Sequence, residues 1–426
     1  MTRNIVIPIG IILIFFFYGF YLFNAFQLYK TGIFAKYDVL FGADVPRVIE
    51  DMTTFEADHW RTGLHPLFVL LVNPLGSICV KILSKPNTSV AIGINSFFGS
   101  LGIALAFIYF WIQSRGLIYS LLLSILFGFS MSQMFWSSVP ETYTLGVITL
   151  LLNYILFAID YNKEVIHKRL WILIGFFTIA IATTNFIQTI ILFTLLLMNS
   201  SFKNEECSTI ILTITRFASK IIMITIVLAV IQKQIYPSSW LFFDLETIKF
   251  ELKSNWFSCF WLKDSFTTIS QILKHFCMVN LFAQIPNTHN IEGKGISITF
   301  SGPLNYSWIG WSGIILWGIL LINGSIVGIK GIFSRSNYFY FYIAIGLCLL
   351  FEALLYSCYG WYEDGHTELF LFTPYFTFLT FIVASWSFKN INCFPKILLI
   401  ILCILAIVNN NLIFQHIINI IDNLNS

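Results

Sequence analysis

Stretches of about 20 apolar residues, the length needed to span the hydrocarbon of a bilayer, recur from one end of this 426-residue chain to the other. A chain patterned this way cannot hide its side chains in a soluble core. Apolar residues make up 57% of the total and charged residues 11%, so there are too few polar groups to cover a globular surface. The sequence therefore predicts an all-α polytopic integral membrane protein with a single domain over residues 1–426. The net charge of +3 gives no footing for nucleic acid. The eight cysteines show neither CxxC nor CxxH spacing, so no zinc site or redox pair is indicated. Cys259 and Cys277 share a loop, and whether they pair is left open by the sequence.

Charge in the connectors sets the expected orientation. Lys and Arg collect around Arg115, around Lys163, Lys168 and Arg169, between Lys203 and Lys220, at Lys330 and Arg335, and at Lys389 and Lys396, which marks these connectors as cytoplasmic. The outward segments are then about 28–65, 135–142, 183–187, 237–307, 358–366 and the C-terminal tail, and most of the acids lie there. The apolar run after Arg3 is too long for a cleaved signal and reads as a first span. Between the first loop and Arg115 lie two apolar stretches, 66–84 and 89–113, where parity permits one crossing. The first is shorter and is broken by "NPLG", with Pro74 and Gly76 weakening a helix interior. It is expected to be re-entrant or partial, beside about 11 transmembrane helices. The 237–307 loop carries five Lys and five acids and is expected to fold against the membrane.

The first outer loop is the most unusual part of the chain. In "FGADVPRVIEDMTTFEADHWRTGLHPLF", Asp44, Glu50, Asp51, Glu56 and Asp58 stand beside Arg47, Arg61, His59 and His65. Asp44, Arg47 and Asp51 are spaced i, i+3 and i+7, one face of a helix. Asp44 ahead of "VPR" also suits a helix N-cap, with Pro46 in the first turn, and capping weighs evenly against a role as general base. Arg47, His59, Arg61 and His65 offer cations for a phosphate, or a salt-bridged loop of no further purpose. Glu141 and Tyr143 in "VPETY" open a later span, where an acid is also favoured by the helix dipole. Glu352 lies inside a span about one turn from its outer end, a functional candidate by default that can also snorkel to the interface. Trp361, Glu363 and His366 follow it as substrate-binding candidates, although aromatics gather at every membrane interface. No ligand cluster calls for a metal, and no cofactor is expected.

An acid shortly after the first span, a "HP" pair opening the next apolar segment and a later acid–Tyr motif resemble the GT-C class of polytopic glycosyltransferases. The wording of "ADVPRVIEDM", "HPLFVLLVNPLG" and "VPETYTLG" is most similar to the bacterial serotype-converting O-antigen glucosyltransferases. That resemblance rests on the first 150 or so residues. It implies an inverting enzyme of the bacterial inner membrane that moves a sugar, glucose by analogy, from undecaprenyl phosphate to a periplasmic glycan such as the O-antigen of lipopolysaccharide. Its first-loop base falls on Asp44, with Asp51 and Glu141 as further catalytic candidates, and its later motif on Glu141 and Tyr143. The family often has two adjacent acids where this chain has Asp44 and Val45, which leaves Asp38 or Asp51 open as the partner. An O-antigen polymerase or ligase is the rival enzyme, expected to concentrate its chemistry in the large loop. A lipid-linked sugar transporter is the non-enzymatic rival, expected to carry ionisable groups at mid-membrane.

Overall fold

A computed structural model describes residues 3–425 apart from 115, 164–165, 200–206, 254–263, 292–294, 361–366 and 389–393. Among the described residues the fold is helical except for one two-stranded hairpin. The protein is an all-α, multi-pass membrane protein: among the described residues eight helices are long and apolar enough to cross a bilayer. They lie within α1 (Arg3–Lys30), α4 (Asn87–Ser114), α7 (Tyr143–Lys163), α10 (Cys207–Ile235), α13 (Trp308–Phe333), α14 (Phe339–Tyr356), α15 (Leu369–Ser385) and α16 (Phe394–Asn425).

The remaining apolar runs make shorter pieces. Helices α5 (Leu117–Gly128) and α6 (Met131–Ser138) meet at a 58° bend and form a ninth crossing only if counted together. Helices α8 (Lys168–Ile181) and α9 (Phe186–Asn199) have 14 residues each, about 21 Å at 1.5 Å per residue, short of the roughly 30 Å hydrocarbon core. Helix length thus supports eight or nine crossings where the apolar runs led to an expectation of eleven. The difference arises because hydropathy counts apolar residues across a bend or break without registering it.

Helix α3 (Phe68–Leu83) holds Pro74 in its interior, and the chain just beyond its finish lies beside the close of α1. Its start follows His65, while Asn87 just beyond its finish donates from Nδ2 to Thr54 Oγ1 at 3.0 Å. Asn87 and Thr88 also share a cleft with Tyr29 and Gly32 at the close of α1. The helix lies against α2 (Val45–Thr53) through Gly76, where a Cβ would stand 1.9 Å from the Met52 carbonyl oxygen. Asn73 Nδ2 donates to the carbonyls of Asp51 and Thr54 at 2.9 Å each, so the two helices are joined by backbone as well as by packing.

The bundle's enclosure is uneven. Helix α15 is buried along almost its whole length, whereas α1 exposes Ile7, Ile12 and Phe15, and α10 exposes Ile211, Met223 and Val227. Large apolar side chains facing outward on long helices are lipid contacts. At the α5–α6 bend every residue of α6 is buried, and its freed backbone is supplied with partners. Asn410 Nδ2 donates to the Phe129 and Leu281 carbonyls at 2.8 and 2.7 Å, and the amides of Met131 and Ser132 donate to Leu281 and Asn280. Irregular backbone at membrane depth persists where protein satisfies it in this way.

The large loop is built from α11 (Leu245–Lys253), α12 (Ser265–Lys274), a π-helical turn at His275–Val279, and strands β1 (Asn287–Ile291) and β2 (Gly295–Thr299) in antiparallel register, Asn287 opposite Thr299. Strand β2 reaches the first loop. Ile298 N donates to Val39 O at 2.8 Å, Phe41 N donates to Ile298 O at 3.1 Å, and Ser297 Oγ donates to Asp38 O at 2.9 Å. Residues 254–263 of this loop, Cys259 among them, lie outside the described residues; Cys277 is a free thiol.

Candidate functional site

The turn that β2 supports is backbone-strained. Asp38 and Phe41 take φ of 59° and 54°, and Gly42 follows at 74°. Left-handed non-glycine residues cost energy and gather at sites where the fold holds a particular geometry. Gly42 is required twice over, because its φ is positive and a Cβ there would meet the Glu368 carboxyl carbon at 2.9 Å. The turn delivers Asp44 to the start of α2.

Asp44 occupies the N-cap position, but its side chain makes no capping hydrogen bond. The carboxylate turns to two guanidiniums instead: Arg47 Nη1 donates to Asp44 Oδ2 at 2.9 Å, and Arg61 Nη1 lies 3.7 Å from the same oxygen. Glu141 closes the cluster from the "VPETY" segment. Its Oε1 accepts from the Asp44 backbone N–H at 3.2 Å and from Arg61 Nη1 at 3.4 Å, and its Oε2 accepts from Thr142 N–H at 3.1 Å. That segment is fixed by Asn95, whose Nδ2 donates to the Trp136 and Val139 carbonyls while its Oδ1 accepts from Thr144 Oγ1. Glu141 is thus the acid that stands beside Asp44, while the Asp38 carbonyl accepts from Ser297 Oγ.

The four charged groups differ in access. The side chains of Arg47 and Asp44 are 26% and 20% exposed, that of Arg61 is 11% and that of Glu141 is 0%. Of the two acids, only Asp44 is open to solvent. Burial raises the Glu141 carboxyl above its ordinary value, against the pull of Arg61 and of the Thr142 amide. For Arg61, burial works against the charge, but Glu141 and Asp44 together hold the guanidinium above its ordinary range. Arg47 also stacks on aromatics, its guanidinium carbon 4.9 Å from the Trp60 ring centre and 5.5 Å from that of Tyr37.

The histidines do not join the cationic cluster expected of them. His59 is fully buried and pairs with Asp51, Nδ1 to Oδ1 at 2.6 Å, while its Nε2 faces the Phe55 carbonyl at 3.1 Å. Asp51 is turned inward, since Asp44 precedes the helix and the i, i+7 relation does not place both side chains on one open face. Burial raises the Asp51 carboxyl above its ordinary value, with His59 opposing. His65 donates from Nδ1 to the Ile181 carbonyl at 2.6 Å, and its Nε2 lies 3.5 Å from Thr142 Oγ1. Burial, then the Arg61 charge, lower it from 6.5 to about 3, so it stands neutral and locks the "HP" turn to the end of α8. The cations that face Asp44 are the two arginines of this loop.

A pH dependence follows for His65. A histidine whose folded value lies below its unfolded one binds its proton more readily in the unfolded chain, so its contribution is complete above pH 6.5 and is lost as pH falls toward 3. Buried His275, also lowered to about 3, acts in the same sense. The raised carboxyls of Glu141 and Asp51 act in the opposite sense. Comparing wild type with His65→Asn isolates the histidine: the wild-type advantage in detergent thermal melts is expected to shrink from pH 7 to pH 5. Parallel pH curves would refute the assignment.

Tyr143 is buried against Trp136 and Tyr375, with ring centres 5.3 and 5.4 Å away. Glu352 is fully enclosed in the bundle and accepts from Gln188 Nε2 at 2.5 Å, so it does not snorkel to the interface. Trp361, Glu363 and His366 lie outside the described residues. The residues that sequence reasoning missed, Thr142, Asn95, Gln188 and Tyr375, are ordinary polar residues in apolar runs and carry no local signal. Among the described residues no group of three His, Cys, Asp or Glu side chains is arranged to hold a metal ion. No protein-family model matches the chain, and no curated protein matches it.

Proposed function

We propose that this protein is a GT-C-like glycosyltransferase of a bacterial inner membrane, with its site facing the periplasm. The observation that carries the reading is the reachable Asp44 carboxylate held between Arg47 and Arg61 over a buried Glu141. Two arginines at the edge of a bundle suit the phosphate of a polyprenyl-phosphate sugar, through charge-assisted bonds that Asp44 occupies in its absence. Phosphate binding draws both guanidiniums away and leaves Asp44 free to act as a base. The acceptor hydroxyl then attacks the anomeric carbon from the face opposite the phosphate, its proton passes to Asp44, and the carbon–oxygen bond to phosphate breaks with inversion. Polyprenyl phosphate departs paired with the arginines, which stabilise the charge that develops on it. Glu141, closed to solvent, positions Arg61 and the Asp44 backbone.

The assay is direct. Purified protein with undecaprenyl phosphate carrying labelled glucose is expected to move label into a lipopolysaccharide acceptor. Failure with glucose-, galactose- and mannose-linked donors alike would sink the reading. The same topology treats α3 as a segment that does not cross. Single cysteines replacing Ser84 and Asn87, both exposed, should then react with an impermeant maleimide from the periplasm, and labelling from the cytoplasm alone would restore a crossing helix.

A further inference from the structure

Behind Glu141 the bundle encloses a second polar group of side chains. Glu352, one turn before the end of α14, is joined to Gln188 in the first turn of α9, and the Tyr154 hydroxyl donates to Gln188 Oε1. Asn185 lies in the turn that opens α9, and its carbonyl accepts from the Gln188 backbone N–H at 3.1 Å. It is 1% exposed, and neither its amide nitrogen nor its amide oxygen has a hydrogen-bond partner. Glu352 Oε2 faces Tyr356 and the buried Tyr375 hydroxyl faces Thr142, each outside hydrogen-bonding geometry. Leaving such a group unbonded is costly, and native interiors satisfy all but a few. A cluster of them at one place calls for partners from outside the chain.

This cluster adjoins the charged site. Thr183 N, two residues before Asn185, donates to Leu64 O, and the same α8–α9 connector gives the Ile181 carbonyl to His65. Tyr375 packs on Tyr143 and stands within electrostatic reach of both Glu141 and Glu352. The chemistry offered is that of hydroxyl recognition: an amide with two donors and an acceptor, a carboxyl oxygen and a phenol. No Lys or Arg belongs to this set, so it suits a neutral polyol better than a phosphate.

We propose that Asn185, Gln188, Glu352 and Tyr375 form the subsite that recognises the hydroxyl groups of the transferred sugar, an inference that rests on the glycosyl-transfer reading above. The phosphate sits at Arg47 and Arg61, and the sugar projects from it toward the α9–α14 entrance. Hydroxyl configuration is then read by buried groups left unbonded by the wrong epimer, which is how a polar site discriminates.

The test uses Asn185→Ala and the nearly isosteric Glu352→Gln in the full-length protein, assayed with undecaprenyl phosphate linked to glucose, galactose or mannose. Each variant is expected to lose roughly 10- to 100-fold in kcat/KM for the preferred donor, in line with one or two lost bonds to buried groups. Its preference among the three sugars should narrow, while inhibition by sugar-free undecaprenyl phosphate stays at the wild-type level. A fall in activity with the donor preference unchanged would show a structural role and overturn the proposal. Weakened inhibition by undecaprenyl phosphate would place these residues at the phosphate and overturn it equally. If wild type transfers from none of the donors, the glycosyl-transfer reading fails and the subsite falls with it. An active wild type with variants that keep its discrimination defeats the subsite alone.

Discussion

Asp44→Asn is expected to fold normally and to lose transfer by roughly 10²- to 10⁴-fold, the usual worth of a positioned general base. The substitution is close to isosteric and keeps an oxygen toward Arg47. Since the side chain caps no helix, no capping bond is at stake. What it removes is the charge shared by Arg47 and Arg61, and both of those pairs are partly open to solvent, where an ion pair contributes about 1 kcal/mol or less. Donor binding should be kept or strengthened, because the arginines lose their competing carboxylate. Wild-type turnover in the variant would move the base elsewhere, and tight donor binding without transfer would support the role given to Asp44.

Arg61→Ala should have the larger effect on stability. It leaves the fully buried Glu141 carboxylate with only the amides of Asp44 and Thr142, and breaking a buried pair from one side typically costs about 3–5 kcal/mol. The loss should be largely recovered in the double variant Arg61→Ala with Glu141→Gln, because the neutral amide no longer needs a counter-charge. Thermal unfolding in detergent across the four proteins of this cycle measures the coupling. Additive effects of the two substitutions would show that Glu141 and Arg61 are not a buried pair. Arg61→Lys, which preserves the charge and loses the planar fork, should fold and use the lipid donor poorly.

The membrane class was legible from composition and apolar run length, because a bilayer imposes a length on every crossing segment. The first loop was legible as the place to look, since charges there stand out against hydrocarbon. Arg47 and Asp44 are three residues apart and pair as local geometry suggests. Asp51 and His59 were misplaced, because their pairing with each other depends on the chain folding back between them. Most of the large loop had no periodic signal strong enough to reveal the hairpin that props the Asp38–Gly42 turn.

The amino-acid sequence alone determined that this chain belongs in a membrane and that charge gathers around Asp44 and its neighbouring arginines, because hydrophobicity and charge are properties of residues wherever they lie. Only the tertiary structure decided which groups share a site. Glu141 reaches Asp44 across 97 residues, and Gln188 reaches Glu352 across 164. Hydrogen bonds and ion pairs act over a few ångströms, so which side chains stand that close is set by how the helices pack and where α5–α6 and α8–α9 break, not by distance along the chain.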